Sequence, residues 1–172
     1  MGRYIDAIRK LEQDSRALLD EIHRTFRLRR ESAHKFRDWE RATERFHTRR
    51  SELDHLIEKC WPSSGAVVEP HLREFMFDYI EVDPQFYRSG YIMEKVLQRI
   101  KRLPLMAEEK AKVQALLLNR IRNKAQRNFR QICRLIPIID GGGLKAIVAE
   151  LAMSADPSVR YRAGFALSYF RE

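Results

Sequence analysis

The chain has 172 residues, 44% of them apolar and 33% charged, with 33 Lys and Arg against 24 Asp and Glu and a formal charge of +9. That apolar share suffices for a real core, while the charge is too high for a protein that spends its surface in lipid. The positive balance biases the surface toward phosphate, acidic proteins or anionic membranes.

Cys60 and Cys133 are too few and too far apart to read as a disulfide framework, so a reducing, cytoplasmic setting is expected. Arg3, Asp6, Arg9 and Lys10 interrupt the first ten residues, which argues against a secretory leader. No uncharged run approaches the roughly 18 residues that a membrane-spanning helix needs, and no membrane insertion is expected.

Between Gly2 and Pro62 there is neither glycine nor proline, and good helix formers dominate. Tyr4, Ile8, Leu11, Ser15, Leu18 and Ile22 form a seam with the 3.5-residue period of a coiled coil. The seam continues in the same phase through Phe36, Trp39, Thr43, Phe46, Arg50, Leu53, Ile57 and Cys60. Thr25, Arg29 and Ser32 occupy it in between. Two shapes fit: a hairpin turning within Leu28 to Ala33, or one helix on the order of 80 Å long that needs a partner, a second copy included.

Trp61-Pro62-Ser63-Ser64-Gly65 carries the strongest stop signal and divides a coiled-coil-like arm or hairpin, residues 1–61, from a helical array, residues 66–172. In the array, Glu69 and Pro70 open a helix to about Tyr79, and Val82-Asp83-Pro84 breaks it. A helix from about Pro84 or Gly90 to Arg102 follows, and Ala107 to about Ile136 reads as the longest helix of this part. Asp140 and three glycines make a turn; Leu144, Ile147, Val148 and Leu151 then recur at helical spacing. Asp156 is placed to cap a last helix that has Pro157 at its first position and Val159, Ala163, Ala166, Leu167 and Phe170 on its inner side. No stretch alternates as an amphipathic strand does, and the fold class is all-α.

The residues Leu144, Ile147, Leu151, Asp156, Pro157, Val159, Arg160, Ala163, Ala166 and Leu167 stand in the order of a HEAT repeat, and residues 136–170 resemble one. The alanines let two helices approach closely, the Asp caps, and the Arg can bond carbonyls of the turn. The resemblance implies a helical array that binds proteins or nucleic acid through one face and carries no catalytic machinery. Residues 69–136 would then supply degenerate earlier repeats.

The segment Asn119 to Arg134 holds six basic residues and no acidic one. On a continuous helix Arg120, Lys124, Arg127, Arg130 and Arg134 fall on one stripe, opposite Leu117, Ile121, Ala125, Phe129, Ile132 and Ile136. Such a row of like charges calls for an anion, an acidic partner, or the chain's own Glu74, Asp78 and Glu81. Phe75, Phe77, Tyr79, Phe86, Tyr87 and Tyr91 cluster around Asp83-Pro84; core packing accounts for most, and Tyr87 and Tyr91 are expected to be partly exposed. The five histidines show no helical metal-pair spacing, Asp140 to Lys145 lacks the spacing of a phosphate loop, and no local triad is visible. Neither metal, cofactor nor catalysis is expected.

The leading expectation is a non-catalytic helical interaction module that binds a protein partner. The alternative is a nucleic-acid-binding protein that uses the stripe from Arg120 to Arg134. A HEAT-like DNA glycosylase is a third reading, by fold analogy alone.

Overall fold

Helices α1 (Ile5–Leu28) and α2 (Ala33–Thr48) form an antiparallel hairpin in the computed structural model, which describes residues 2–61, 68–123 and 128–170. The turn falls where polar residues interrupt the seam: Ser32 takes an extended conformation and its side chain accepts from the Lys35 N–H. Antiparallel register is fixed by Arg45 against Glu21 (2.6 Å) and by Arg49, which reaches the Leu11 carbonyl and the Ser15 hydroxyl.

The helix expected to run unbroken to Cys60 stops at Thr48, and α3 (Asp54–Lys59) follows. Ser51 and Asp54 make the break, since the Asp54 carboxylate accepts from the Ser51 N–H (2.9 Å) and the Ser51 hydroxyl from the Leu53 N–H (3.1 Å). The turn aims Leu53, Leu56 and Cys60 inward. Residues 62–65 of the expected boundary lie outside the described residues.

Helix α4 (Pro70–Val82) ends at Asp83, whose left-handed backbone (φ 49°) stops the helix ahead of Pro84. Helix α5 (Ser89–Ile100) begins after Arg88, again left-handed (φ 72°). The expected longest helix is divided into α6 (Ala107–Arg122), α7 (Phe129–Cys133) and α8 (Ile136–Ile139). Part of the reason is distant: the Arg162 guanidinium donates to the carbonyls of Ile121 (2.8 Å) and Asn123 (3.1 Å), satisfying the open end of α6. Pro137 opens α8. The apolar side foreseen for this stretch is nevertheless buried at Leu117, Ile121, Phe129, Ile132 and Ile136, while Ala125 lies outside the described residues.

Gly142 (φ 59°) and Gly143 (φ 81°) turn the chain into α9 (Leu144–Leu151) through left-handed conformations that L side chains adopt poorly. Helix α10 (Pro157–Leu167) packs on α9, and the local chemistry is the expected one. Asp156 accepts from the Ser158 N–H (2.7 Å), and Arg160 donates to the Ser154 carbonyl (2.8 Å). Among the described residues there are ten helices and no strand, and the fold is all-α.

One apolar cluster runs through the molecule. Ile8 and Leu11 of α1 share it with Leu53, Leu56 and Cys60, with the inner sides of α4 and α5, and with α6 to α10. Tyr4 meets Phe75 edge to face at 5.9 Å, and its N–H donates to the buried Asp78 carboxylate (2.9 Å). The first half of α1 therefore packs as core, and only its second half, paired with α2, projects as an arm.

Candidate binding surfaces

Arg120 sits on α6 one residue before the buried Ile121, and the end of α4 comes directly over it. The guanidinium is only 3% exposed and pairs with the Asp83 carboxylate. Burial pushes the Asp83 carboxyl up to about 6 against the opposing pull of Arg120, and burial also lowers the Arg120 pKa. Arg120 is thus withdrawn from the surface stripe expected of it. Arg130 on α7 and Arg134 at its end are exposed; Lys124 and Arg127 lie outside the described residues. Because α6 ends at Arg122, the described members of the stripe do not share one continuous helix.

The acidic trio on α4 is answered by a different cation. Lys112 of α6 reaches Glu81 at 2.7 Å and the buried Asp78 at 3.6 Å, whereas Glu74 is exposed. Arg73 ties α4 to α6 as well, through a fork onto Glu109 at 2.5 and 2.7 Å. Among the described residues, Arg130 and Arg134 form no ion pair.

The hairpin arm presents two unlike sides. On one, Glu21, Arg24, Lys35, Asp38, Arg41 and Arg45 line a charged groove that is internally paired, Arg41 with Asp38 and Arg45 with Glu21, both at 2.6 Å. On the other, Leu18, Ile22 and Phe26 recur at four-residue steps along α1, and Phe36, Trp39 and Phe46 recur at steps of three and seven along α2. Phe26 lies 6.2 Å from Trp39, and Phe36 5.5 Å from it. Phe26 is 46% exposed and Phe36 43%, with the Arg29 guanidinium 3.3 Å over the Phe26 ring.

Where α2 ends, Phe46 meets Tyr87 at 5.4 Å and opens an aromatic groove of about 580 Å³ between α3 and the start of α5. Trp61, Tyr87 and Tyr91 line it, each about half exposed, in keeping with the exposure expected of the two tyrosines; Phe75, Phe77 and Tyr79 are core. Beyond Lys95, whose ammonium stands 6.0 Å from the Trp61 ring centre, lies a second groove of about 410 Å³. Its rim carries Lys95, Arg99, Lys101, Arg102 and Arg134, with Glu94 the one acid. Sequence reading missed this assembly, although Arg88, Tyr91, Lys95, Gln98 and Arg102 recur at steps of three and four. What it could not show is that Trp61 and Arg134, far along the chain, border the same helix.

Cys60 and Cys133 are free, 1% and 0% exposed, and burial pushes both thiols up to about 12. Ellman's reagent is expected to titrate both thiols quickly in denaturant and neither quickly in native protein; a fast native phase would contradict their placement. Among the described residues no group of three or more His, Cys, Asp or Glu is arranged around a metal position, and no helix is long and apolar enough to cross a membrane. No protein-family model matches the chain, and neither curated proteins nor solved structures yield a match.

Proposed function

We propose that the protein is a non-catalytic helical interaction module that takes a protein partner on the apolar side of its α1–α2 arm. The observation that carries this reading is the Phe26, Phe36 and Trp39 cluster, which stands on the α1–α2 pair with Phe26 46% and Phe36 43% exposed among the described residues. Aromatic side chains at an exposed, pre-formed helical face are the usual anchors of protein interfaces. Two parallel ridges with an apolar seam between them suit an amphipathic helix.

Charge selects among occupants. Residues 16–50 hold eleven Arg and Lys against six Asp and Glu. A second copy would bring like charges together, whereas a helix with acidic flanks would be complementary. The HEAT-like pairing of α9 and α10 supports the same class of function, with the capping by Asp156 and the Arg160 bond to the turn as its physical basis.

The test compares wild-type protein with a Phe26→Ser, Trp39→Ser variant of unchanged helicity. Proteins retained from a lysate of the source cells are identified, purified and rebound. The expected result is an acidic partner whose affinity falls at least about ten-fold in the variant, which removes two of the three anchor residues. Retention that the variant does not alter would overturn the reading, as would a wild-type dimer in sedimentation that the variant dissociates.

A further inference from the structure

The outer side of α5 bears Tyr91, Lys95 and Gln98 in a row about 10 Å long at 1.5 Å per residue, with Arg88 just before the helix and Arg102 just after it. The row joins the two grooves described above: rings crowd its first half and cations its second. Trp61 is 47% exposed, Tyr87 52% and Tyr91 49%, so each offers ring surface to solvent. Arg50 lines the same groove as these rings, and Lys101, Arg102 and Arg134 line the adjoining one; none of the four forms an ion pair among the described residues, although other cations of the molecule find carboxylates. The acids nearby are engaged or set at the edge: Glu94 is bonded by Gln98 (3.2 Å), Asp54 accepts from the Ser51 N–H, Glu69 pairs with Lys59 (2.9 Å) within reach of Arg99, and Glu58 is exposed at the edge of the aromatic groove.

From this juxtaposition we infer that the α5 face binds single-stranded nucleic acid, with bases against Trp61, Tyr87 and Tyr91 and phosphates against Lys95, Lys101, Arg102 and Arg134. Flat rings beside unpaired cations match the alternation of bases and phosphates along a single strand. In a duplex the base faces are already stacked and cannot reach the rings. An acidic polypeptide would satisfy the cations and leave the ring faces without flat partners. Gln98 and Gln131 border the cations with amide groups suited to sugar or base edges. The left-handed backbone at Arg88 holds its guanidinium 5.4 Å from the Tyr87 ring centre, at the mouth of the aromatic groove.

This surface is separate from the arm's distal cluster and goes beyond the partner reading. The test uses the full chain and fluorescence anisotropy of a labelled oligothymidylate about twelve nucleotides long, over about 50 to 300 mM salt. Salt-dependent binding is expected. A Lys101→Ala, Arg102→Ala, Arg134→Ala variant should lose at least about ten-fold in affinity, with a log–log salt slope shallower by about 2, three single-strand phosphate contacts at about 0.7 each. Trp61→Ala should lose about ten-fold with the slope unchanged, because stacking releases no counterions. In a Trp39→Phe background, the remaining Trp61 emission should be quenched on titration. Three results would overturn the inference: no binding at the lowest salt, equal affinity for duplex or polyglutamate, or folded variants that bind like the wild type. A Phe26→Ser, Trp39→Ser variant should bind the oligonucleotide normally, which separates this outcome from that of the arm.

Discussion

Arg120→Ala is expected to destabilise the protein by about 3 kcal/mol at neutral pH, whereas Arg130→Ala and Arg134→Ala should each change stability by less than about 0.5 kcal/mol. Arg120 is 3% exposed and Asp83 15%, so removing the guanidinium leaves a carboxylate largely out of water with its cation gone. The figure is set at the low end for a broken buried pair because that carboxylate keeps some contact with solvent.

The loss should depend on pH in a stated direction. Asp83 has its folded pKa raised to about 6 from an ordinary 3.8, so between about pH 4 and 6 the folded state holds more protons than the unfolded one. Its titration therefore draws stability down as pH rises through that window, and the stability it confers is fully present only below about pH 4. Without Arg120 the ionised form has lost its counter-charge, so the deficit of the variant widens above pH 6 and narrows at pH 4. Urea unfolding at both pH values measures this, and an equal deficit at each would place Arg120 in the solvent-exposed row. An Arg120→Met, Asp83→Asn double variant should recover most of the loss, since it removes both charges and keeps a residue that tolerates the left-handed backbone at 83.

That ion pair also marks how far the sequence could be read. Local signals were legible wherever the deciding atoms lie within a few residues of one another. Asp156 caps its own helix, Asp83-Pro84 ends α4, and the glycines after Asp140 turn the chain. The polar gap at Thr25, Arg29 and Ser32 left two shapes open, and it is the hairpin that forms. Side-chain burial along α6 to α8 was legible too, because a correct apolar phase survives a break in the helix. The break itself was not, since the side chain that closes α6 comes from Arg162, 41 residues beyond Ile121. The placement of Arg120 in the cationic row failed in the same way. A helical wheel places Arg120 opposite the apolar face, but only the path of the chain brings Asp83, 37 residues earlier, across that side. The α5 face joins groups from α3, α5 and the end of α7, a set with no local spacing to give it away.

Ile8→Ala is expected to cost about 3 kcal/mol and Ile22→Ala about 1 kcal/mol or less, although both positions belong to one seam of one helix. Ile8 is 0% exposed, within the cluster that Phe75 and Leu56 also build, and its removal leaves a cavity that Tyr4, fixed on Phe75 and Asp78, cannot collapse to fill. Ile22 is half-buried between two helices with solvent on the open side, so its loss exposes little that was not already wet. Equal losses in thermal or urea unfolding would mean that the arm is packed as firmly as the body. The expected inequality bears on function. Stability resides where α1 crosses α4, and the distal apolar side contributes little to it. Phe26, Phe36 and Trp39 can then be varied without unfolding the chain, so that a change in binding by the Phe26→Ser, Trp39→Ser variant reports on the surface and not on the fold.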